Sequence, residues 1–189
     1  MKPKICFLDV ETSGISQMRH AIVQIGGLIC ADEGGALAVL EEFCLNVAPF
    51  PADVIEDEAL AVSGVTRDQL RTFPAPGAVH GDLTRLFEKY CNKYDKKDKM
   101  LFVGYNAPFD YGFLRKWFEK NGDKYFGSWF WHPAVDVMSL AMLRLAENRH
   151  AMSDFKLVTV AAQLGLPVEQ AHNALADARV TKAIFEKVR

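Results

Sequence analysis

Apolar positions along the chain follow two periods, one of strands and one of helices. Lys4 to Val10 reads KICFLDV, a short apolar run ending among acids, the pattern of a central buried strand. Ala21 to Cys30 (AIVQIGGLIC) predicts a second strand, whose Gly26-Gly27 pair marks a bulge or a close backbone approach. Val39 to Val47 (VLEEFCLNV) predicts a third, with Asp32 to Gly35 as the hairpin loop between them. The chain therefore opens with a predicted three-strand antiparallel meander. Short helices are predicted at 55–63 and 66–71, around the turn Ser63-Gly64. A longer one is predicted at 77–90, with Val79, Leu83, Leu86, Phe87 and Tyr90 close to one face. Met100 to Tyr105 is a fourth strand, followed by a helix that stops at Asn121-Gly122. Trp129 to Val137 holds a fifth strand and leads into a helix through Leu145. Further helices are predicted at 156–164 and 173–187. Three strands followed by alternating helices and strands predict an α/β fold, a mixed sheet with helices on its faces.

Composition narrows this little. The 189 residues fit one domain, 1–189, with 50% hydrophobic and 24% charged residues, an ordinary globular balance. A net charge of −2 argues against a broad basic surface for nucleic acid. It leaves room for an enzyme that grips one strand end through bound cations, which supply positive charge locally. Cys6, Cys30, Cys44 and Cys91 form no CxxC pair, so buried reduced thiols and a cytoplasmic setting are expected. No signal peptide is visible ahead of the first strand, and no apolar run approaches the roughly 20 residues of a membrane span. The lysines of Lys89 to Lys99 read as a solvated helix end and loop. Trp117, Trp129 and Trp131 are expected in the core more than in an exposed patch.

The chemistry lies in a few acids. Asp9 and Glu11 are two residues apart at a strand end and so share a face. Two carboxylates there repel each other and lose hydration, a costly arrangement unless a cation sits between them. Hard oxygen ligands suit Mg²⁺ or Mn²⁺. Asp110 follows another strand, and Asn106 and Pro108 are helix-start residues, so Asp110 falls in a first helical turn. His172 and Asp177 would be about 500° apart on one continuous helix and would face different ways. They converge only if His172 precedes the helix, with Asn173 as its N-cap. A loop histidine beside a helix aspartate suits a general base next to a metal ligand. His20, His80, His132 and His150 lack a comparable acidic setting and are read as structural or exposed.

FLDVETSG, YNAPFD and HNALADA resemble, in order, the three motifs of the DEDDh-type 3′-5′ exonuclease family. That family includes the proofreading epsilon subunit of DNA polymerase III, ribonuclease T and oligoribonuclease. The resemblance covers essentially the whole chain and fills all five functional positions: Asp9, Glu11, Asp110, His172 and Asp177. It implies an RNase H-like fold, a five-stranded mixed sheet flanked by helices. It also implies two ions, Mg²⁺ or Mn²⁺, held by Asp9, Glu11, Asp110 and Asp177, with Asp9 bridging both. His172 would take a proton from the attacking water, and Glu11 would serve catalysis as well as metal binding. Asp136 matches a frequent family acid outside this set and is given a structural role. In Ala61 to Thr66 (AVSGVT), Ser63 stands where the family usually has His, a minor departure.

The implied substrate is a single-stranded or frayed 3′ end, met by backbone groups around Thr12, Ser13 and Gly14. Asn106 and Phe109 join the substrate-binding set, Phe109 either stacking on a base or packing in the core. The first motif and overall length lean towards DNA, with release of nucleoside 5′-monophosphates; the alternative is a 3′-5′ exoribonuclease using the same residues. A DNA polymerase partner and a homodimer are both compatible with the family. An inactive nucleic-acid-binding or polymerase-docking module is a further alternative, against which the intact acid set speaks. No Gly-rich phosphate loop supports another kind of nucleotide-binding domain.

Overall fold

The computed structural model describes residues 3–167 and 173–189. The expected meander is present. β1 (Ile5–Thr12) pairs antiparallel with β2 (Ile22–Asp32), which pairs antiparallel with β3 (Leu37–Asn46). On its other side β1 runs parallel to β4 (Met100–Gly104), and β4 parallel to β5 (Phe130–Asp136). The result is a five-stranded mixed sheet in the order β3-β2-β1-β4-β5. Between β3 and β4 come α1 (Asp57–Ser63), α2 (Arg67–Leu70) and α3 (Pro76–Glu88). α4 (Ala107–Lys120) joins β4 to β5. After β5 come α5 (Val137–Arg144), α6 (Leu157–Gln163) and α7 (Ala174–Val188).

β1 carries the architecture because successive side chains point to opposite faces. Cys6, Leu8 and Val10 enter a cluster with Val79, Leu83 and Phe87 of α3 and Phe113, Leu114 and Trp117 of α4. Ile5 and Phe7 enter a second cluster with Val137 and Ala141 of α5, Val160 of α6 and Ala178 and Ile184 of α7. Asp9 and Glu11 continue that second series, so they lie on the α7 side of the sheet.

The Gly26-Gly27 pair serves close approach, and the register shifts fall elsewhere, at Glu11/Thr12 and Ile29/Cys30. Gly26 lies opposite Asp9 in the register. A Cβ on Gly26 would come within 2.2 Å of the Leu175 amide nitrogen, so the missing side chain is what seats the first turn of α7. Two bonds fix that turn. The Ala174 amide donates to Gln24 Oε1 at 2.9 Å, and the Ala176 amide donates to Asn173 Oδ1 at 3.2 Å, as expected of an N-cap.

Some expectations are corrected. Cys44 is exposed, because β3 is an edge strand with a solvent-facing side, while Cys6, Cys30 and Cys91 are buried; all four are free thiols. Trp117 and Trp129 are buried, but Trp131 on edge strand β5 is exposed. Among the described residues no helix is long and apolar enough to cross a membrane.

Gly26→Ala is expected to destabilise by about 1–3 kcal/mol, the usual cost of overpacking, although Ala normally favours a strand over Gly. Thermal melts of the two proteins check this, and an unchanged or raised melting temperature would show that α7 does not depend on the glycine.

Candidate active site

The carboxyl ends of β1 and β4 and the N-termini of α4 and α7 meet at one place. Oxygens of Asp9, Glu11 and Asp177 lie within 4.8 Å of one another. Two constraints hold them. Asp9 and Glu11 are fixed by a strand paired through Glu11 to Gln24. Asp177 sits in the first turn of α7, where the positive end of the helix dipole favours negative charge.

Asp110 lies outside this group but beside it. It is 3% exposed, in the first turn of α4. β1 and β4 pair only from Ile5 to Phe7 of β1, so the Val10 amide has no partner on that strand, and it donates to Asp110 Oδ1 at 3.1 Å. Asp110 thus ties α4 to the strand carrying Asp9 and Glu11. Asp136 behaves as the structural acid expected of it. Its Oδ1 accepts from the Ala107 and Met138 amides at 3.2 and 3.3 Å, and its Oδ2 from Ser139 Oγ at 2.6 Å.

The electrostatics are those of crowded acids with little water. Burial pushes the Asp9 carboxyl well above its usual range, and Asp110, Glu11 and Asp177 push it further. Glu11 is raised from 4.5 to about 7, by burial first and then by Asp177. Burial raises Asp110 also, against the bonds from the Val10 amide and its own, which lower it. Such a donor set fits a divalent cation: several hard anionic oxygens in one place, whose repulsion a doubly charged ion would cancel.

Other expected site residues divide. His172 lies outside the described residues. Asn106 is exposed at the start of α4, in left-handed backbone (φ 60°, ψ 45°) that Asn tolerates better than most residues, and its side chain does not cap the helix. Phe109 is half-buried against Phe113, centroids 4.7 Å apart. Thr12 Oγ1 donates to the Gly14 carbonyl at 2.8 Å. Ser13 is fully buried, with its hydroxyl donating to the Val54 carbonyl and accepting from the Ala21 amide, so its side chain holds the loop together. Two histidines do have acids beside them: His20 Nε2 lies 3.0 Å from Glu56, and His80 Nε2 3.1 Å from Asp123. Sequence reasoning missed Gln24; a lone amide in an apolar strand was the signal available.

The family model described as Exonuclease matches residues 6–185. Ribonuclease T of Shewanella sp. (strain ANA-3) is 30% identical over 187 residues, covering 94% of this chain and 78% of that protein. The PolC-type DNA polymerase III of Thermotoga petrophila is 28% identical over 178 residues, covering 94% of this chain and 11% of the polymerase. Among solved structures, E. coli Exonuclease I in complex with a dT13 oligonucleotide superposes with a TM-score of 0.79 at 20% identity, covering 99% of this chain and 41% of that one. The fold is therefore shared with Exonuclease I, of which this chain spans about two fifths.

A raised carboxyl group binds its proton more tightly in the folded state. Its stabilising contribution is complete below the unfolded value of 4.5 and is lost as the pH rises through about 7. For Glu11 that loss is on the order of 3 kcal/mol, and Asp9 and Asp110 act in the same direction. In EDTA, Glu11→Gln should melt close to wild type near about pH 5 and roughly 6–12 °C above it near about pH 8. Melting curves across that range check the sign, and a gap that stays constant contradicts it.

Proposed function

This chain belongs to the exonuclease family, whose members are nucleic-acid hydrolases, and we propose that it removes nucleoside 5′-monophosphates one at a time from single-stranded or frayed 3′ ends. The observation that carries the reading is the gathering of Asp9, Glu11 and Asp177 within 4.8 Å, with buried Asp110 behind them. In this reading the chain acts as one exonuclease domain.

Two divalent ions, Mg²⁺ or Mn²⁺, would be held by Asp9, Glu11 and Asp177, with Asp110 completing the set. When bound, such ions stabilise charge on the phosphoryl and leaving oxygens and make water easier to deprotonate. The chain's own groups do the rest. β1 and α7 hold the carboxylates in place before substrate arrives, which limits reorganisation during reaction. His172, immediately before the N-cap Asn173, takes the proton from the attacking water. Thr12, Gly14 and Asn106 border the terminal nucleotide, and the exposed part of Phe109 offers a face to a base.

The sequence leans towards DNA, and the oligonucleotide carried by the Exonuclease I structure is in keeping with that. The second reading, a 3′-5′ exoribonuclease, is favoured by the 30% identity to ribonuclease T. The PolC relatives make a polymerase a further candidate partner.

Incubating 5′-labelled DNA and RNA strands with protein and Mg²⁺ or Mn²⁺ should give a ladder shrinking from the 3′ end. EDTA and Asp9→Ala should abolish it, and the faster-cut sugar identifies the preferred substrate. A folded protein that cuts neither strand would refute the proposal. His172→Ala should lower kcat by about 10²–10⁴-fold with Mn²⁺ affinity retained, whereas Asp177→Ala should lower both. Equal Mn²⁺ affinity in the two variants would contradict these roles.

A further inference from the structure

The turn that leaves β1 directly after Glu11 borders the carboxylates, and a histidine backs it. His20 is only 4% exposed. A Cβ on Gly14 would come 2.6–2.7 Å from three carbons of the His20 ring, so the glycine packs on the ring's face. The Ser16 amide donates to His20 Nδ1 at 2.8 Å, and the His20 amide donates to the Ser16 carbonyl at 2.9 Å. We propose that His20 is a positioning residue for substrate, its ring buttressing residues 12–16 where they meet the terminal nucleotide; the inference rests on the exonuclease reading of the carboxylates.

The turn needs a buttress because burial of its own side chains does not shape it. Ile15 is 84% exposed and Met18 68%, apolar groups that a free loop would tuck inwards. Polar bonds fix its course instead. The Ser13 amide donates to the Ala21 carbonyl at 2.9 Å, the Glu56 amide to the Ser13 carbonyl at 3.0 Å and the Val54 amide to the Arg19 carbonyl at 2.7 Å. The bond from Ser16 requires an unprotonated Nδ1 and so puts the ring proton on Nε2. Nε2 lies 3.0 Å from Glu56 Oε1, close enough for attraction but off the line of a hydrogen bond. Lys120 reaches the same place from α4, donating to the His20 carbonyl at 3.4 Å and to Asp53 Oδ1 at 2.6 Å. The turn also rests on α4 directly, since a Cβ on Gly112 would come within 2.1 Å of Gln17 Nε2. It therefore lies between the strand that carries Glu11 and the helix that carries Asp110. A shift at Gly14 or Ser16 would move the backbone that faces the nucleotide, while the strand and helices keep the carboxylates where they are. Loss of the ring's support should thus weaken grip on the strand end and spare the metal centre.

The test compares two substitutions of nearly the same shape. His20→Leu fills the space but accepts no bond from the Ser16 amide, whereas His20→Asn places a carbonyl oxygen close to the position of Nδ1. Melting curves first set a temperature at which every variant is folded. With the faster-cut strand, His20→Leu should raise KM about tenfold, the loss expected when a buried amide is left unpaired, with kcat within about threefold of wild type. Inhibition by the matching nucleoside 5′-monophosphate, adenosine or deoxyadenosine, should weaken by the same factor, and Mn²⁺ affinity should stay unchanged. His20→Asn should return KM and inhibition to within about threefold of wild type. Should His20→Leu not fold, His20→Gln carries the same comparison, because its amide lies one bond beyond the Nδ1 position. The inference is overturned if the folded variants keep the wild-type KM, if asparagine restores nothing, or if Mn²⁺ affinity falls together with strand affinity, the mark of a general structural loss. Failure of wild type to cut any strand is a different result, which removes the exonuclease reading and this inference with it.

Discussion

The repulsion among Asp9, Glu11 and Asp177 is the constraint around which the rest of the structure is arranged. Carboxylates this close and partly stripped of water would spread apart on a compliant frame or keep protons at neutral pH. The rise of Glu11 to about 7 and the elevated Asp9 express that tension. The frame does not yield because Asp9 and Glu11 belong to one rigid element, β1, and Asp177 to another, α7. β1 is paired on both sides, and α7 is pinned by the Gln24 and Asn173 bonds and seated on Gly26. A bound divalent cation turns the same arrangement from a liability into a binding site, because the charge that destabilises the bare protein is the charge the ion requires.

The two faces of β1 divide the labour. One face is filled by Cys6, Leu8 and Val10 against α3 and α4; the other runs from Ile5 and Phe7 into Asp9 and Glu11 against α7. The strand is therefore core for most of its length and site at its end, and the anchoring and chemical parts cannot move independently. Asp110 extends this coupling across the sheet. Through the Val10 amide it joins the α4 layer to the strand that presents the other acids, and Asp136 holds the neighbouring starts of α4 and α5.

Much of this was legible in the sequence for physical reasons. Continuous apolar runs mark strands buried on both faces, as in β1, β2 and β4, and helix boundaries followed capping residues such as Asn173 and Gly122. The Gly26-Gly27 pair carried its meaning too, since a glycine in a buried strand interior signals a backbone passing close by. What could not be read depends on non-local contacts. The structural task of the Ser13 hydroxyl left no local sign, because its partners Val54 and Ala21 lie 41 and 8 residues away. Cys44 sits in an apolar run but belongs to an edge strand, which only the sheet order reveals. The acids beside His20 and His80 lie 36 and 43 residues away in sequence, beyond the reach of any local pattern.

The family assignment and the geometry converge on a centre whose affinity for cations and for protons is one property. Calorimetric titration of the protein with Mn²⁺ near about pH 7, in two buffers of different ionisation enthalpy, measures both at once. Binding should be accompanied by release of roughly half a proton or more, because Glu11 is partly protonated there before the ion enters. Absence of binding, or binding with no proton released, would contradict the claim that these carboxylates are held together for a divalent cation.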